Sequence, residues 1–174
     1  AGDVESFGVL VERYESKLRR YARKFLLDAN DTDDLVQDVF LQVYQNIQSV
    51  DTTRKFSSWI YRVAHNIFVN ALRKREHVRR SLVDFDTIFP TLHAEEKADD
   101  QTIREEERSR LEKTLNGIDQ KYREVLILYY FEELAYEDIA DVLGIPVSTV
   151  GVRLRRGREY ARKALNDIDP TFIH

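Results

Sequence analysis

The chain has no cysteine and no methionine, only three prolines and six glycines in 174 residues, and no long apolar run. Each shortage removes a class of protein. Without cysteine there is no disulfide, no thiolate nucleophile and no thiolate-ligated metal, which fits a reducing compartment. No stretch approaches the roughly 20 apolar residues that a bilayer span requires, so no membrane insertion is expected. No signal-peptide pattern opens the sequence, and a cytoplasmic protein is expected. The missing methionine at position 1 predicts a trimmed or processed N-terminus. The four histidines, His65, His77, His93 and His174, are scattered, and no two have metal-ligand spacing. Neither a phosphate-cradling glycine loop nor a nucleophile motif is found. No catalytic residue, metal or cofactor is therefore expected, and an enzyme is not the reading.

Charge is what the chain has in quantity. Lys, Arg, Asp and Glu make up 33% of it, beside 43% hydrophobic residues, enough to build real cores. The formal net charge of −4 hides a strong local pattern. Residues 54–80 carry eight Lys/Arg against one Glu, and 147–163 carry six against one. Residues 28–38 carry five Asp and no base, and 132–141 carry five acids and no base. Nucleic acid on one side and a protein on the other is the simplest account. An ordinary solvated helix surface has the same composition, so motif and facing must decide.

Apolar residues recur at helical spacing, with no two-residue alternation, and predict an all-α chain. Phe7, Leu10, Val11, Tyr14, Leu18 and Tyr21 form one stripe. Leu35, Val36, Val39, Phe40 and Val43 form a second, after the cap-rich "DANDTDD". A polar break, "SVDTTRK", precedes a basic helix from about Phe56 to His77, with Phe56, Ile60, Val63, Ala64, Ile67 and Ala71 inward. These helices predict an N-terminal domain over 1–77. Over 78–101 the periodicity fails, and "SLVDFDTIFPTLHAEEKADD" reads as a flexible acidic linker. Thr102 and Glu105 then have capping-box spacing. A second small domain over 102–174 follows, with helices near 103–116, 120–131, 136–143 and 147–165.

The most specific motif is "YEDIADVLGIPVSTVGVRL", where Ala140, Gly144 and Val150 have helix-turn-helix spacing. Ala140 is small enough for a close helix crossing. Gly144 suits the left-handed turn that ends the first helix, and Pro146 suits the start of the second. With Val150 inward and about 100° per residue, Ser148, Val152, Arg155, Arg156 and Glu159 face out. Thr149, Arg153 and Arg158 lie on the flanks, suited to phosphates. Motif, charge and facing agree on duplex DNA. Gly151 interrupts the helix at a cost of about 1 kcal/mol relative to alanine.

"RKFSSWIYRVAHNIFVNALRKRE" has a different character. With Ile60 inward, Arg62, His65, Asn66, Val69 and Arg73 face outward, and Trp59 and Asn70 sit on a shoulder. Aromatics, amides and arginines together suit unpaired bases, which need stacking as well as charge. A tryptophan at such a position is also a common core residue.

Four segments in order, "GDVESFGVLVERY", "DTDDLVQDVFLQVYQNI", "RKFSSWIYRVAHNIFVNALR" and "YREVLILYYFEELAYEDIADVLGIPVSTV", resemble the successive regions of extracytoplasmic-function (ECF) sigma factors. These are two-domain initiation subunits of bacterial RNA polymerase. The resemblance covers nearly the whole chain apart from the linker. It implies core RNA polymerase, through the clamp of its β′ subunit, and promoter DNA as partners, and an anti-sigma factor as a regulator. It implies that Asp34, Gln37 and Asp38 meet the clamp, and that Trp59, Arg62, His65, Asn66 and Arg73 engage the melted −10 element. The loop "SVDTTRKF" would hold a flipped base. Ser148, Thr149, Val152, Arg153, Arg155, Arg156 and Arg158 would address the −35 element. Gly151 and Val152 stand where members usually carry a basic and then a small hydroxyl residue, and Ala135 where Ser or Thr caps the next helix. Taken alone, residues 136–165 also fit a stand-alone helix-turn-helix regulator.

Overall fold

Tyr14, Leu18, Tyr21 and Phe25 fall on one side of a single helix, α1 (Val4–Leu26), and all four are buried. A computed structural model describes residues 4–26, 32–83 and 114–168, with side chains over 5–26, 32–75 and 114–166. Glu5 in the first turn of α1 and Arg23 and Lys24 in its last complement the helix dipole. Helix α2 (Thr32–Asn46) carries Asp33 and Asp34 in its first turn and buries Val36, Val39 and Val43. A 3₁₀ turn (Ile47–Ser49) ends it. Helix α3 (Phe56–Val83) packs across both. Of the expected inner stripe Ile60 and Ala64 are buried while Phe56, Val63, Ile67 and Ala71 are half-buried, and among the described side chains Ser58, Tyr61 and Phe68 are buried instead.

The third helix, expected to end near His77, continues to Val83. The added sequence, "VRRSLV", is mostly arginine and apolar residues, and no glycine or proline stops it. The rest of the expected acidic linker, and most of the helix expected over 103–116, lie outside the described residues; 114–116 are helical.

The second block contains α4 (Gln120–Tyr130), α5 (Tyr136–Leu143) and α6 (Val147–Ile168). Asp119 caps α4 by accepting the Lys121 N–H at 3.1 Å. Ala135 starts α5 with no side-chain cap bond, as its identity dictates. Gly144 ends α5 at φ 62°, where a Cβ would be strained. Pro146 stands one position before α6, its carbonyl accepting the Thr149 and Val150 N–H groups at 2.9 and 3.2 Å. No strand occurs among the described residues.

Two glycines of α6 behave oppositely. A Cβ on Gly157 would lie 3.0 Å from Leu126 Cγ and 3.2 Å from the Tyr122 carbonyl, so α4 and α6 touch there because no side chain intervenes. A Cβ on Gly151 would meet only Tyr136 Cε2, at 3.7 Å, an ordinary contact. Gly151 is therefore directed partly at α5 and needs no glycine for packing. Gly157→Ala is expected to lower stability by about 1–2 kcal/mol net of its helix-propensity gain. Gly151→Ala is expected to raise it by about 0.5–1 kcal/mol. Urea unfolding of the two variants checks the opposite signs.

The two blocks do not stand apart. α4 packs on α1, and α5 packs on α3. Buried apolar residues of both blocks form one contiguous cluster. At its centre Tyr21 lies 5.3 Å from Phe68 and 5.7 Å from Tyr61, ring centre to ring centre.

Candidate nucleic-acid interface

Helix α6 is fixed by Val150 and Leu154, both with no exposed surface, and by the close approach at Gly157. That anchoring decides what faces out. Ser148, Val152, Arg155, Arg156, Arg158 and Glu159 are exposed, with Thr149 and Arg153 half-buried at the edges. The outward face read from the sequence is the exposed face of the structure, except that Arg158, expected on a flank, is exposed with it. Val152, 45% exposed, is an apolar side chain among arginines, the pairing that suits a thymine methyl beside a guanine edge. Arg156 donates to the Tyr122 hydroxyl at 3.4 Å, and Tyr122 packs on Tyr160 at 5.2 Å. Arg156 is therefore held against α4, whereas Arg155 carries no such restraint in its described contacts.

On α3, Asn66, Asn70 and Arg73 are exposed, and Trp59 is half-buried with its ring 5.4 Å from Phe56. The loop before α3 is preorganised by Asp51, which accepts the Thr53 N–H at 3.0 Å and the Thr53 hydroxyl at 2.6 Å. Those two bonds hold the Asp51 carboxyl below its ordinary value. Beside this loop lies an apolar groove of about 390 Å³, between Phe7 and Leu10 of α1, Tyr44 of α2, and Val50, Thr52 and Phe56.

Arg62 and His65 are placed differently. Both face the second block. Arg62 lies 3.6 Å from Asp141, and His65 Nδ1 lies 2.5 Å from a Glu124 oxygen that also accepts the Tyr21 hydroxyl at 2.5 Å. Arg54 meets Asp141 at 2.8 Å. Asp138 accepts from Lys55 at 2.7 Å and from the Ser58 hydroxyl at 2.9 Å. Burial raises the Asp138 carboxyl, but the bonds from Lys55 and Ser58 outweigh it and leave the group lowered. Glu132, its side chain fully buried, takes two bonds from Arg20 at 2.9 Å and one from Tyr61. Burial first, and then the neighbouring carboxylates, push the Tyr21 and Tyr61 hydroxyls up, so both stay protonated donors.

At the same junction Arg123 reaches the carbonyls of Leu115, Ile118 and Phe25 at 3.4, 3.5 and 3.2 Å, while its buried Nε has no partner. Desolvation lowers its guanidinium from the ordinary value.

Sequence reasoning did not anticipate Arg20, Ser58, Tyr61, Glu124 or Glu132 as contacts. One signal was present. Tyr61 and Phe68, seven apart, give α3 an apolar face wider than a three-helix core needs.

On α2, Asp34, Gln37 and Asp38 are exposed together, continued by Leu41 at 59% and Tyr44 at 51% exposure. Asp33, by contrast, is paired with Arg19. Among the described residues no three His, Cys, Asp or Glu side chains converge as metal ligands, and no helix is long and apolar enough to cross a membrane.

Residues 10–78 match Sigma-70 region 2, and residues 108–160 match Sigma-70 region 4. Over its length the chain is 31% identical to the ECF RNA polymerase sigma factor SigW of Bacillus subtilis, covering 96% of this chain and 92% of that one. The RNA polymerase sigma-H factor of Pseudomonas aeruginosa is also 31% identical, over 96% and 90%. The chain belongs to the ECF sigma factors. It is a sigma subunit, a transcription-initiation factor, and its two matched regions describe more than a stand-alone helix-turn-helix regulator. This sigma factor shares its arrangement with CnrH in the structure of CnrH with the cytosolic domain of CnrY. The TM-score is 0.70 at 28% identity, over 97% of this chain and 92% of that one. The fold is also that of RpoE in its complex with the anti-sigma factor NepR from Bartonella quintana, with a TM-score of 0.74 at 24% identity, over 93% and 98%.

Proposed function

We propose that the three surfaces divide the work of initiation. The outward face of α6, with Ser148, Thr149, Val152, Arg153, Arg155, Arg156 and Arg158, reads the −35 duplex in the major groove. On α3, Trp59, Arg62, His65, Asn66 and Arg73 engage the melted −10 strand, with the loop before it receiving a flipped base beside the apolar groove. Asp34, Gln37 and Asp38 dock on the β′ clamp of core polymerase. Residues 1–77, 78–101 and 102–174 then serve as the clamp and −10 unit, the connection, and the −35 unit. The observation that carries this reading is the facing of α6. Arg155, Arg156, Arg158 and Val152 are exposed on one side of a helix whose other side is locked by Val150 and Leu154.

Such a protein works by positioning and melting DNA and performs no covalent step of its own. Its place is the cytoplasm, where polymerase and promoter are. Both solved relatives were captured with another protein: CnrH with part of CnrY, and RpoE with the anti-sigma factor NepR. An anti-sigma partner for this chain follows from that likeness. Run-off transcription is the direct test. With core polymerase the chain is expected to start transcripts at selected sites in a genomic promoter library, and alone to bind duplex only weakly. Tight sequence-specific duplex binding without core, and no initiation with it, would sink the assignment.

A further inference from the structure

Of the two neighbouring arginines on the outward side of α6, Arg156 alone has a side-chain hydrogen bond among the described residues. Its Nη1 donates to the Tyr122 hydroxyl at 3.4 Å, across 34 positions of sequence. The acceptor is itself fixed. The Tyr122 ring is 8% exposed and packs on Tyr160 at 5.2 Å, with Lys121 Nζ 5.0 Å from its centre. Gly157 sets the approach: a Cβ beside Arg156 would lie 3.2 Å from the Tyr122 carbonyl, and its absence lets α6 come that close to α4. A buried ring cannot follow an exposed arginine, so the arginine is held to the ring.

We propose that Tyr122 is the positioning residue for Arg156 in −35 recognition: its hydroxyl holds the guanidinium ready for a base edge, while Arg155 stays free to follow the phosphates. The proposal rests on the −35 reading of α6 given above. An arginine that swings freely gives up its rotamer freedom when it docks on a base, and one already held gives up less. A guanidinium has five N–H donors and Tyr122 takes one, so a bidentate pair remains for guanine O6 and N7. The hydroxyl acts through Arg156 and need not meet DNA itself. The bond is mutual. Arg156 holds the Tyr122 hydroxyl below its ordinary value, and the hydroxyl holds the Arg156 guanidinium above its own.

The probe is a promoter recovered by run-off transcription, bound by the full chain assembled with core polymerase, with each −35 base pair replaced in turn. Tyr122→Phe removes the hydroxyl and keeps the ring that packs on Tyr160. It is expected to weaken binding to the intact −35 element about three- to fivefold, a modest loss because the bond is long and lies at the surface. What identifies positioning is where the loss falls. Arg156→Ala is expected to weaken binding roughly ten- to 100-fold and to relax discrimination at one base pair. Tyr122→Phe is expected to relax that same base pair and no other. In the Arg156→Ala background, Tyr122→Phe is expected to add less than about 1.5-fold. The control, Tyr130→Phe, removes an exposed hydroxyl at the other end of α4 and is expected to change neither affinity nor discrimination.

A tyrosine that served only to hold α4 against α6 would behave otherwise. Its loss would weaken binding to every −35 variant alike, and would do so with or without Arg156. Either pattern overturns the proposal, as does a Tyr122→Phe chain that binds and discriminates like the parent. Relaxation at one base pair in Arg156→Ala, with none in Tyr122→Phe, rejects the positioning role alone. An Arg156→Ala chain that still discriminates every −35 base pair as the parent does rejects the reading of Arg156 beneath it, and the positioning role with it.

Discussion

Arg20→Ala is expected to lower the free energy of unfolding by about 2–4 kcal/mol, the cost of leaving a buried carboxylate without its cation. Glu132 has no exposed side-chain surface, and Arg20 supplies it with two hydrogen bonds while also donating to the Phe131 carbonyl at 2.7 Å. Those bonds also hold the Arg20 guanidinium above its ordinary value, chiefly through Glu132. Removing the arginine leaves Glu132 with the Tyr61 hydroxyl alone. The outer part of Arg20 is solvated, with 43% side-chain exposure, which places the loss below that of a fully enclosed pair. Glu132→Gln in the same chain removes the orphaned charge and is expected to recover the stability to within about 1 kcal/mol of the parent. Urea denaturation of the four proteins of this cycle measures the coupling. A single Arg20→Ala change within about 0.5 kcal/mol of the parent would show that the pair does not help to hold the blocks together.

Such contacts mark where sequence reading stopped. Gly144, Val150 and Leu154 act within one helical hairpin, so spacing alone placed the turn, the core side of α6 and the face that points to solvent. The exposed row Asp34, Gln37 and Asp38 is equally local, since α2 has one buried side defined by Val36, Val39 and Val43. Tyr21 and Glu124, however, are 103 positions apart, and Arg20 and Glu132 are 112 apart. No periodicity links residues at that separation. The wheel for α3 therefore pointed Arg62 and His65 outward correctly, but outward from the first block is toward the second. The acids over 132–141 showed the same limit. Their charge was evident, but three of them face cations or hydroxyls of the chain itself: Glu132, Asp138 and Asp141.

The acidic row on α2 has a different fate, and its reversal is expected to have the largest functional effect. Asp34→Lys with Asp38→Lys should weaken binding to core polymerase about 30- to 1,000-fold, or about 2–4 kcal/mol, since in the proposed docking on the clamp two favourable contacts would become like-charge contacts. The row lies beside Leu41 and Tyr44, both more than half exposed. Exposed apolar side chains next to an acidic row have the mixed make-up of an interface. Neither aspartate supports the core, and both are exposed. Lysine at position 34, in the first turn of α2, opposes the helix dipole and costs about 0.3–1 kcal/mol by itself. Asp34→Asn with Asp38→Asn avoids most of that penalty and should still weaken binding about 10-fold, which separates lost attraction from helix damage. Competition against labelled parent chain for core polymerase reads both variants, and circular dichroism verifies that the helices persist. A folded lysine pair that competes as well as the parent would move the polymerase interface off α2.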